Sequence, residues 1–305
     1  MALVQLGAKT RAPKPEWLKV RMPGGGRYEH VKRTLRELNL HTVCEEASCP
    51  NVGECWGSGT ATVMLMGDVC SRGCRFCDVA SGTPAPLDPL EPRHLAEAVG
   101  RLGLDYLVVT SVNRDELPDG GAAHFAQAIV ELRRAAPRTL VEVLTPDFQG
   151  SQAALEMIID AQPTVAAHNV ETVERLTPRV RDRRATYRQS LDVLARYKRG
   201  GMRTKSSIML GLGETREEVL QAMRDLRAAD CDILTLGQYL RPTEKHLAVE
   251  EFVRPEVFAE LEQDGLALGF KFVAAGPLVR SSYKAGEFFV RNQVDHAAVE
   301  HHPGR

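Results

Sequence analysis

Six of the seven cysteines lie in two tight groups, and these groups are the part of the sequence best suited to chemistry. The first triplet is Cys44, Cys49 and Cys55, spaced C-x4-C-x5-C, and the second triplet is Cys70, Cys74 and Cys77, spaced C-x3-C-x2-C. Three thiolates on so short a segment cannot easily pair as disulfides. In a chain without secretory features, such groups indicate metal binding rather than a disulfide framework.

Two kinds of metal centre suit a thiolate triplet. A structural zinc site takes four protein ligands, so three cysteines leave it one short. An iron–sulfur cluster also usually takes four cysteines, but a cubane held by three leaves one iron open to an external ligand. A zinc knuckle remains the alternative for the second triplet, and a purely structural role the alternative for the first. Cys231 stands alone in AADCDILTL, and we expect it to be a small core residue.

Length and composition limit the class of protein. The chain has 305 residues, 43% hydrophobic and 26% charged, as expected for a soluble protein with one large α/β barrel or two average domains. Lys and Arg number 39 and Asp and Glu number 40, so the formal net charge of -1 gives no general attraction to nucleic acid or anionic membranes. No apolar signal-peptide core and no membrane-length apolar run is visible, so we expect a cytoplasmic protein.

Strand and helix patterns alternate from residue 61 onward. Strands are predicted at residues 61–66, 105–110, 139–144, 163–167, 203–210, 232–236 and 270–274. Helices are predicted at residues 28–38, 91–102, 121–135, 151–161, 186–197, 215–229 and 255–268, with Ser151 and Thr215 as N-caps. This order predicts an α/β fold with a parallel sheet, arranged as a partial (β/α)6 TIM-type barrel. Residues 44–56 are predicted to be irregular, and Trp17 and Leu18 to anchor a Pro- and Gly-rich arm.

A polar segment follows each of the first six predicted strands. The second triplet follows the first strand, and TSVNRDE, TPD, HNVET, GLGET and GQYLRP follow the next five. In barrels built from βα units, the chemistry takes place at the C-terminal ends of the strands. We therefore expect these segments to surround one site.

The second triplet, placed at the end of the first strand of a barrel, resembles the signature of the radical S-adenosylmethionine superfamily. The resemblance implies that Cys70, Cys74 and Cys77 hold a [4Fe–4S] cluster whose open iron is chelated by the amino and carboxylate groups of S-adenosylmethionine. It also implies that one electron from the cluster cleaves a carbon–sulfur bond. The products are methionine and a 5′-deoxyadenosyl radical, which removes a hydrogen atom from an unactivated carbon.

Seven stretches together resemble the lipoyl synthase family of that superfamily, over residues 14–287. They are LHTVCEEASCPNVGECW, GDVCSRGCRFCDV, VVTSVNRDELPDGGAAHF, HNVETVERLTPRVR, TKSSIMLGLGET, LGQYLRPTEKHLAVEEFV and GPLVRSSYKAGE. The resemblance implies a sulfurtransferase that inserts two sulfur atoms, at C6 and C8, into an octanoyl chain amide-linked to a lysine of a lipoyl carrier domain. It implies that the first triplet holds a second [4Fe–4S] cluster, which donates the sulfur and has Ser282 as its fourth ligand. Without the family, Ser282 would be an ordinary residue of a polar turn.

The same resemblance implies which residues contact S-adenosylmethionine. Thr110, Ser111 and Asn113 are implied for the amino group, Asn169 and Glu171 for the ribose, and Phe76 for the neighbourhood of the adenine. Taken singly, each of these residues is equally compatible with loop solvation, capping or packing. The GGE motif that is usual after the second strand in the superfamily is absent here, as it generally is in lipoyl synthases.

The family also implies partner proteins. These are an octanoylated lipoyl carrier domain (a 2-oxoacid dehydrogenase E2 subunit or a glycine cleavage H protein), a ferredoxin- or flavodoxin-type electron donor, and a cluster-repair protein. Five arginines within residues 178–188 are compatible with a docking patch for an acidic lipoyl domain, or with a solvated loop. We expect neither a nucleic acid nor a membrane partner.

Three regions are expected along the chain. Residues 1–60 form an N-terminal arm with the first triplet, residues 61–275 the barrel, and residues 276–305 a C-terminal extension with the RSSY motif. We expect the two extensions to close the mouth of the barrel. Other candidates are biotin synthase, a methylthiotransferase and a zinc-stabilised binding module without catalysis. The first triplet and RSSY argue against biotin synthase, and the lack of a tRNA-binding appendage argues against a methylthiotransferase.

Overall fold

The computed structural model describes residues 14–20, 24–46, 49–57 and 60–282, which contain the strands and helices named below. The strands are β1 (His41–Thr42), β2 (Thr60–Leu65), β3 (Val69–Cys70), β4 (Ala80–Ser81), β5 (Tyr106–Ser111), β6 (Leu140–Leu144), β7 (Val165–Ala167), β8 (Thr204–Leu210), β9 (Ile233–Gln238) and β10 (Phe272–Gly276). Residues 1–13 of the predicted arm, and the C-terminal extension from Tyr283 onward, lie outside the described residues.

Ten α-helices and three short 3-10 helices accompany these strands in the described part of the chain. The α-helices are α1 (Gly26–Glu37), α2 (Val43–Glu46), α3 (Val52–Gly57), α4 (Glu91–Leu102), α5 (Ala122–Ala135), α6 (Gln152–Ala161), α7 (Thr177–Val180), α8 (Tyr187–Arg199), α9 (Arg216–Ala228) and α10 (Pro255–Ala267). The 3-10 helices are Glu16–Leu18, Phe148–Gly150 and Glu174–Leu176. None of the described helices is long and apolar enough to cross a membrane.

The main sheet has eight strands in the order β1-β2-β5-β6-β7-β8-β9-β10. β1 is antiparallel to β2, and every other neighbouring pair is parallel. In the main sheet, each of the six strands β2, β5, β6, β7, β8 and β9 is followed by a helix before the next strand of that sheet, so the chain forms six βα units and a last strand. Among the described residues, β1 and β10 are the two edges of this sheet and are not paired with each other. The predicted partial (β/α)6 barrel is therefore confirmed.

The strands are buried because helices cover one face of the sheet and the barrel interior covers the other. All six residues of β2 are buried, and so are all six of β9. Strands buried on both faces read as nearly continuous apolar runs, which is why 61–66 and 105–110 are recognisable in the sequence. One charged pair lies inside the barrel, where Lys205 Nζ is 2.8 Å from both carboxylate oxygens of Glu142. Both residues are almost completely buried, so each charge depends on the other.

Several local predictions are confirmed. Ser151 accepts a hydrogen bond from the Ala154 N–H and caps α6. Thr215 forms a reciprocal capping box with Glu218 at the start of α9. Cys231 is fully buried in the core.

Two local predictions are wrong. Residues 44–56 are not irregular but contain α2 and α3, because Thr42 Oγ1 accepts from the Glu45 N–H and caps the first of these short helices. Trp17 is not an anchor, since 40% of its surface is exposed, whereas its neighbour Leu18 is buried. Neither error affects the barrel, since both positions precede β2.

Candidate active site

The second triplet lies on a loop that leaves the sheet at the end of β2 and is closed at its base. Met66 and Gly67 both have positive φ, which turns the chain out of the strand. Val69 and Cys70 then pair in parallel with Ala80 and Ser81, forming a two-residue ladder. The three cysteines are therefore presented by a short, clamped loop. We call residues 70–77 the cysteine loop.

Backbone N–H groups surround the sulfur atoms of the cysteine loop. The Asn113 N–H lies 3.3 Å from Cys70 Sγ, and the Asp182 N–H lies 3.3 Å from Cys74 Sγ. Such donors favour a thiolate over a thiol. Burial acts in the opposite direction and raises the pKa of Cys77 to about 12, an effect to which the neighbouring Cys74 and Cys70 add. A positively charged metal centre would offset this burial, because metal-bound cysteine is deprotonated.

Arg72, inside the cysteine loop, is buried between two carboxylates. Its Nη2 lies 2.7 Å from Asp115 Oδ1 and 2.7 Å from Asp147 Oδ1. Burial alone would raise the pKa of Asp147, but the hydrogen bonds and charge of Arg72 lower it to about 2. Asp115 follows β5 and Asp147 follows β6, so one guanidinium joins the cysteine loop to the ends of two strands.

The arginine-rich segment 178–188 packs against the other side of the cysteine loop. The Gly73 N–H donates to Asp182 Oδ2 at 3.0 Å, the Arg75 N–H to the Val180 carbonyl at 2.9 Å, and Arg184 Nη2 to the Ser71 carbonyl at 2.8 Å.

Most of the arginines in that segment have partners within the chain. Arg179 pairs with Glu250, Arg184 with Asp182, and Arg188 with Glu174, while the buried Arg181 donates to Ser190 Oγ. The segment therefore packs on the cysteine loop and holds it in place. The sequence suggests either a docking patch or a solvated loop, and neither interpretation includes this role.

A cavity of about 490 Å³ opens at the C-terminal ends of the barrel strands. Its lining includes every residue that the sequence suggests for contact with S-adenosylmethionine, together with members of both triplets and the RSSY motif: Phe76, Thr110, Ser111, Asn113, Asn169, Glu171, Cys70, Cys74, Cys77, Cys49, Ser281 and Ser282. Cys44 and Cys55 are buried in α2 and α3 and are not part of this lining. The two ends of the described chain thus meet the cysteine loop at one cavity.

Two oxygen atoms of side chains that line this cavity are buried without a hydrogen-bond partner among the described residues. They are Ser111 Oγ and Asn169 Oδ1. Buried polar atoms are normally paired, so both are available to a polar ligand. The Thr110 hydroxyl, by contrast, already donates to the Leu144 carbonyl at 2.8 Å.

Glu171 lies beside these atoms in an unusual backbone conformation, with φ of 66°. A positive φ at a residue other than glycine is strained and is held by its surroundings, here by a bridge to Ile208 on β8. Burial raises the pKa of Glu171, while the Arg181 charge and the Asn169 amide oppose that rise. Arg181 itself has a buried Nε without a partner in the described part of the chain.

The first triplet is joined directly to the turn before the RSSY motif. Asn51, between Cys49 and Cys55, donates from Nδ2 to the Leu278 carbonyl at 2.7 Å. Burial raises the pKa of Cys44 to about 12, and nearby Cys49 adds to the rise. The Trp56 indole and Thr62 oppose that rise, so they favour a thiolate at Cys44. Trp56 Nε1 is buried and makes no standard hydrogen bond to another described residue, so it can donate to a thiolate at Cys44.

The donor sets fit iron–sulfur chemistry. Each triplet offers soft sulfur ligands, which suit iron–sulfur clusters. Within the described ranges, no three His, Cys, Asp or Glu side chains are arranged to hold one metal ion. The thiolates of a cubane bind different iron atoms, so cluster ligands do not need to converge on one point.

The fold and site define the class of protein, and comparisons with known proteins agree. The family model of the Radical SAM superfamily matches residues 64–226. A solved methylornithine synthase has the same fold, with a TM-score of 0.54, 13% identity and coverage of 88% of each chain. SuiB of Streptococcus suis, solved with S-adenosylmethionine, gives a TM-score of 0.53 at 11% identity, over 72% of this chain and 50% of that one.

The family within that class is shown by closer relatives. The family model for the N-terminal domain of lipoyl synthase matches residues 2–49. Lipoyl synthase of Anaeromyxobacter sp. (strain Fw109-5) is 64% identical over 286 residues, covering 93% of this chain and 97% of the relative. Lipoyl synthase of Thermus thermophilus is 59% identical over 280 residues, covering 91% and 87%. The chain belongs to the lipoyl synthase family, and is an enzyme of the sulfurtransferase type.

Membership of the superfamily implies S-adenosylmethionine and a [4Fe–4S] cluster as cofactors. The thiols of the cysteine loop fit the cluster, and the unpaired Ser111 Oγ and Asn169 Oδ1 fit a polar small molecule. Sequence reasoning did not assign Arg72, Asp147 and Arg181 to this cavity, although all three line it. The only signal available for them was position, since Arg72 lies between two cysteines and Asp147 lies in a segment after a strand.

Proposed function

We propose that the chain inserts two sulfur atoms, at C6 and C8, into an octanoyl group amide-linked to a lysine of a lipoyl carrier domain. In this proposal the sulfur comes from a second [4Fe–4S] cluster. The observation that supports it is that the cysteine loop, Cys49 and Ser282 line one shared cavity. A carbon radical is short-lived, so its sulfur source has to lie within the same enclosed space.

The proposal assigns the two triplets to different tasks. Cys70, Cys74 and Cys77 hold the first cluster, which together with S-adenosylmethionine supplies the carbon radical when bound. Such chemistry is required because saturated C–H bonds offer no site for an acid, a base or a nucleophile. Cys44, Cys49, Cys55 and Ser282 hold the second cluster. Serine oxygen is a hard ligand beside thiolates, so it is the ligand most easily released when the cluster gives up sulfur.

S-adenosylmethionine is assigned to the polar side chains of the cavity. Ser111 and Asn113 face its amino group, Asn169 and Glu171 its ribose, and Phe76 its adenine. The Thr110 hydroxyl, which donates to Leu144, retains only its acceptor capacity for the ligand. Arg181 is a further candidate for the carboxylate, because it lines the cavity and pairs with no carboxylate in the described chain.

The partners follow from this function. The carrier domain is that of a 2-oxoacid dehydrogenase E2 subunit or a glycine cleavage H protein. A ferredoxin- or flavodoxin-type protein delivers the electrons, and a cluster-repair protein restores the second cluster after turnover. These partners, a cytoplasmic location, and the division of the chain at residues 60 and 275 stay predictions.

Mass analysis of an octanoyl-lysine peptide tests the function directly. After anaerobic incubation with reconstituted enzyme, S-adenosylmethionine and a reductant, we expect a product with two added sulfur atoms. The purified chain should contain roughly eight irons, from two four-iron cubanes. Stoichiometric zinc with little iron would instead identify a zinc-stabilised binding module.

Two sets of variants separate the tasks of the triplets. Replacing Cys70, Cys74 and Cys77 with Ala should abolish formation of 5′-deoxyadenosine. Replacing the first triplet, Cys44, Cys49 and Cys55, with Ala should leave cleavage of S-adenosylmethionine intact but stop sulfur insertion. Lipoyl product from the first-triplet variant would show that the sulfur has another source.

A further inference from the structure

Arg280 has an unusual environment for a guanidinium. It lies two residues before Ser282, lines the cavity, and donates from Nη1 to the Val279 carbonyl at 2.7 Å. Longer contacts from the same atom reach the carbonyls of Gln238 at 3.4 Å and Pro277 at 3.5 Å. All its hydrogen bonds in the described chain therefore involve one nitrogen and carbonyl oxygens. The remaining donors of its five N–H groups have no partner there.

No carboxylate within the described ranges pairs with Arg280, unlike the two that enclose Arg72. Cys49, a member of the first triplet, lines the same cavity as Arg280 and Ser282. Burial lowers the pKa of Arg280, and the nearby Cys49 opposes that fall. A half-buried cation is stabilised when it faces an anion. The structure therefore places a positive charge, with no carboxylate partner in the described ranges, in the cavity that the proposed ligands Cys49 and Ser282 line.

The position of Arg280 is set by the end of β9. A Cβ atom at Gly237 would collide with the Val279 carbonyl oxygen, so only glycine lets the turn lie so close to the strand. The contact to the Gln238 carbonyl ties the guanidinium to the same strand. This packing limits how far the charge can move from the cavity.

We propose that Arg280 is a positioning residue whose positive charge compensates the negative charge of the second cluster and raises its reduction potential. The inference depends on the proposed function, because it requires a cluster at Cys44, Cys49, Cys55 and Ser282. A cubane with three thiolates and a serine oxygen is anionic, and reduction adds one more negative charge. A nearby guanidinium stabilises the reduced form more than the oxidised form. Net charge around a cluster is one of the factors that set its potential.

The test isolates the second cluster in a full-length chain that carries Cys70→Ala, Cys74→Ala and Cys77→Ala. Arg280→Gln, Arg280→Lys and Arg280 itself are compared in this background after anaerobic reconstitution. Iron content is measured first, and the reduced cluster is then titrated by electron paramagnetic resonance at controlled potential. Arg101→Gln, which removes an exposed arginine of α4 that pairs with Glu97, is the matched control.

Arg280→Gln should lower the reduced-to-oxidised ratio at least tenfold at a fixed potential, which corresponds to about 59 mV for one electron. Arg280→Lys should recover most of the shift, because it keeps the charge, and Arg101→Gln should cause none. An unchanged potential in Arg280→Gln would overturn the inference. If neither Arg280 variant bound a cluster, Arg280 would be required for cluster binding through its packing and hydrogen bonds. That result would also overturn the role of its charge. Absence of a four-iron cluster when Arg280 is present would instead refute the proposed function.

Discussion

Arg72 shows how much one side chain can contribute to the position of the cysteine loop. Its guanidinium lies between Asp115 and Asp147, and the Asp147 side chain has no exposed surface. A buried carboxylate that loses its only cation remains in the protein interior without compensation. The position of Cys70 and Cys74 therefore depends on a charge network beneath them.

Arg72→Met should reduce the free energy of unfolding of the cluster-free chain by about 3–5 kcal/mol, because it leaves Asp147 buried and unpaired. Urea unfolding monitored by circular dichroism measures this change. The double variant Arg72→Met with Asp147→Leu should recover part of the loss, since it removes the unpaired charge. An unfolding midpoint for Arg72→Met equal to that of the unmodified chain would contradict this role.

His168 gives the chain a specific dependence on pH. Burial, with the Arg181 charge adding to it, lowers the pKa of His168 to about 4 from its ordinary 6.5. Between these values the unfolded chain binds more protons than the folded chain, so stability decreases as the pH falls from 6.5 to 4. The expected loss is about 3 kcal/mol. Its neighbours Thr145 and Ser190 bond both ring nitrogens, which holds the ring in place.

Urea unfolding of the cluster-free chain between pH 4 and 7 measures this dependence. His168→Asn should lose most of the slope in that window, because it removes the imidazole whose pKa folding lowers. Equal slopes in the two proteins would mean that folding does not lower the pKa of His168.

At the scale of elements, the end of β9 determines where the C-terminal turn can lie. Gly237→Ala should displace residues 277–280, since a methyl group there collides with the Val279 carbonyl. We expect the iron of the proposed second cluster, at the first triplet, to fall while iron bound by the second triplet stays. Iron analysis in the two triplet-to-Ala backgrounds separates these amounts.

Gly100→Ala is the matched control for that variant. Gly100 is exposed in α4, and a Cβ atom there meets nothing within 4 Å. The substitution should stabilise the helix by about 0.5–1 kcal/mol and leave both iron contents unchanged. Equal iron loss in Gly100→Ala and Gly237→Ala would exclude a local effect of the turn.

The sequence predicts strands and helices, whose signals lie within short segments. It does not predict contacts between residues that are far apart in the chain. Buried strands and amphipathic helices have short-range periodicity, so all seven barrel strands are predictable to within a few residues. A ligand role for Ser282 could be proposed only from family resemblance, because its position near Cys49 depends on the fold of the whole barrel. The clamp of Asp182 on Gly73 is a contact between residues 109 positions apart, and no pattern in either segment indicates it. Charge clusters such as 178–188 reveal their partners only in three dimensions.

At the scale of the whole molecule, the hydrogen bond from Asn51 to Leu278 joins segments 227 residues apart. Asn51 is buried, so its replacement leaves the Leu278 carbonyl without that donor. Asn51→Ala should cost about 1–3 kcal/mol of unfolding free energy and weaken iron retention at the first triplet. Urea unfolding and iron analysis after dilution measure the two effects.

Gln152→Ala serves as the control, since the Gln152 side chain donates to Glu156 on an exposed helix face. Its effect should stay within about 0.5 kcal/mol. If Asn51→Ala had an effect no larger than this, the two segments would be held together by other contacts.

The bond between Asn51 and Leu278 has a consequence for the order of events on the ribosome. The hydrogen bonds of the cysteine loop reach residues as late in the chain as His246 and Leu247, so they can form while the last strand is still being made. The site of the first triplet, as proposed, needs residues 278–282 as well, and contacts between distant segments form late because loop closure is costly in entropy. A nascent or prematurely ended chain would therefore be able to bind the cluster of the cysteine loop before it could bind the proposed sulfur-donating cluster. Loading of the second cluster would mark a chain that has been synthesised through its RSSY motif.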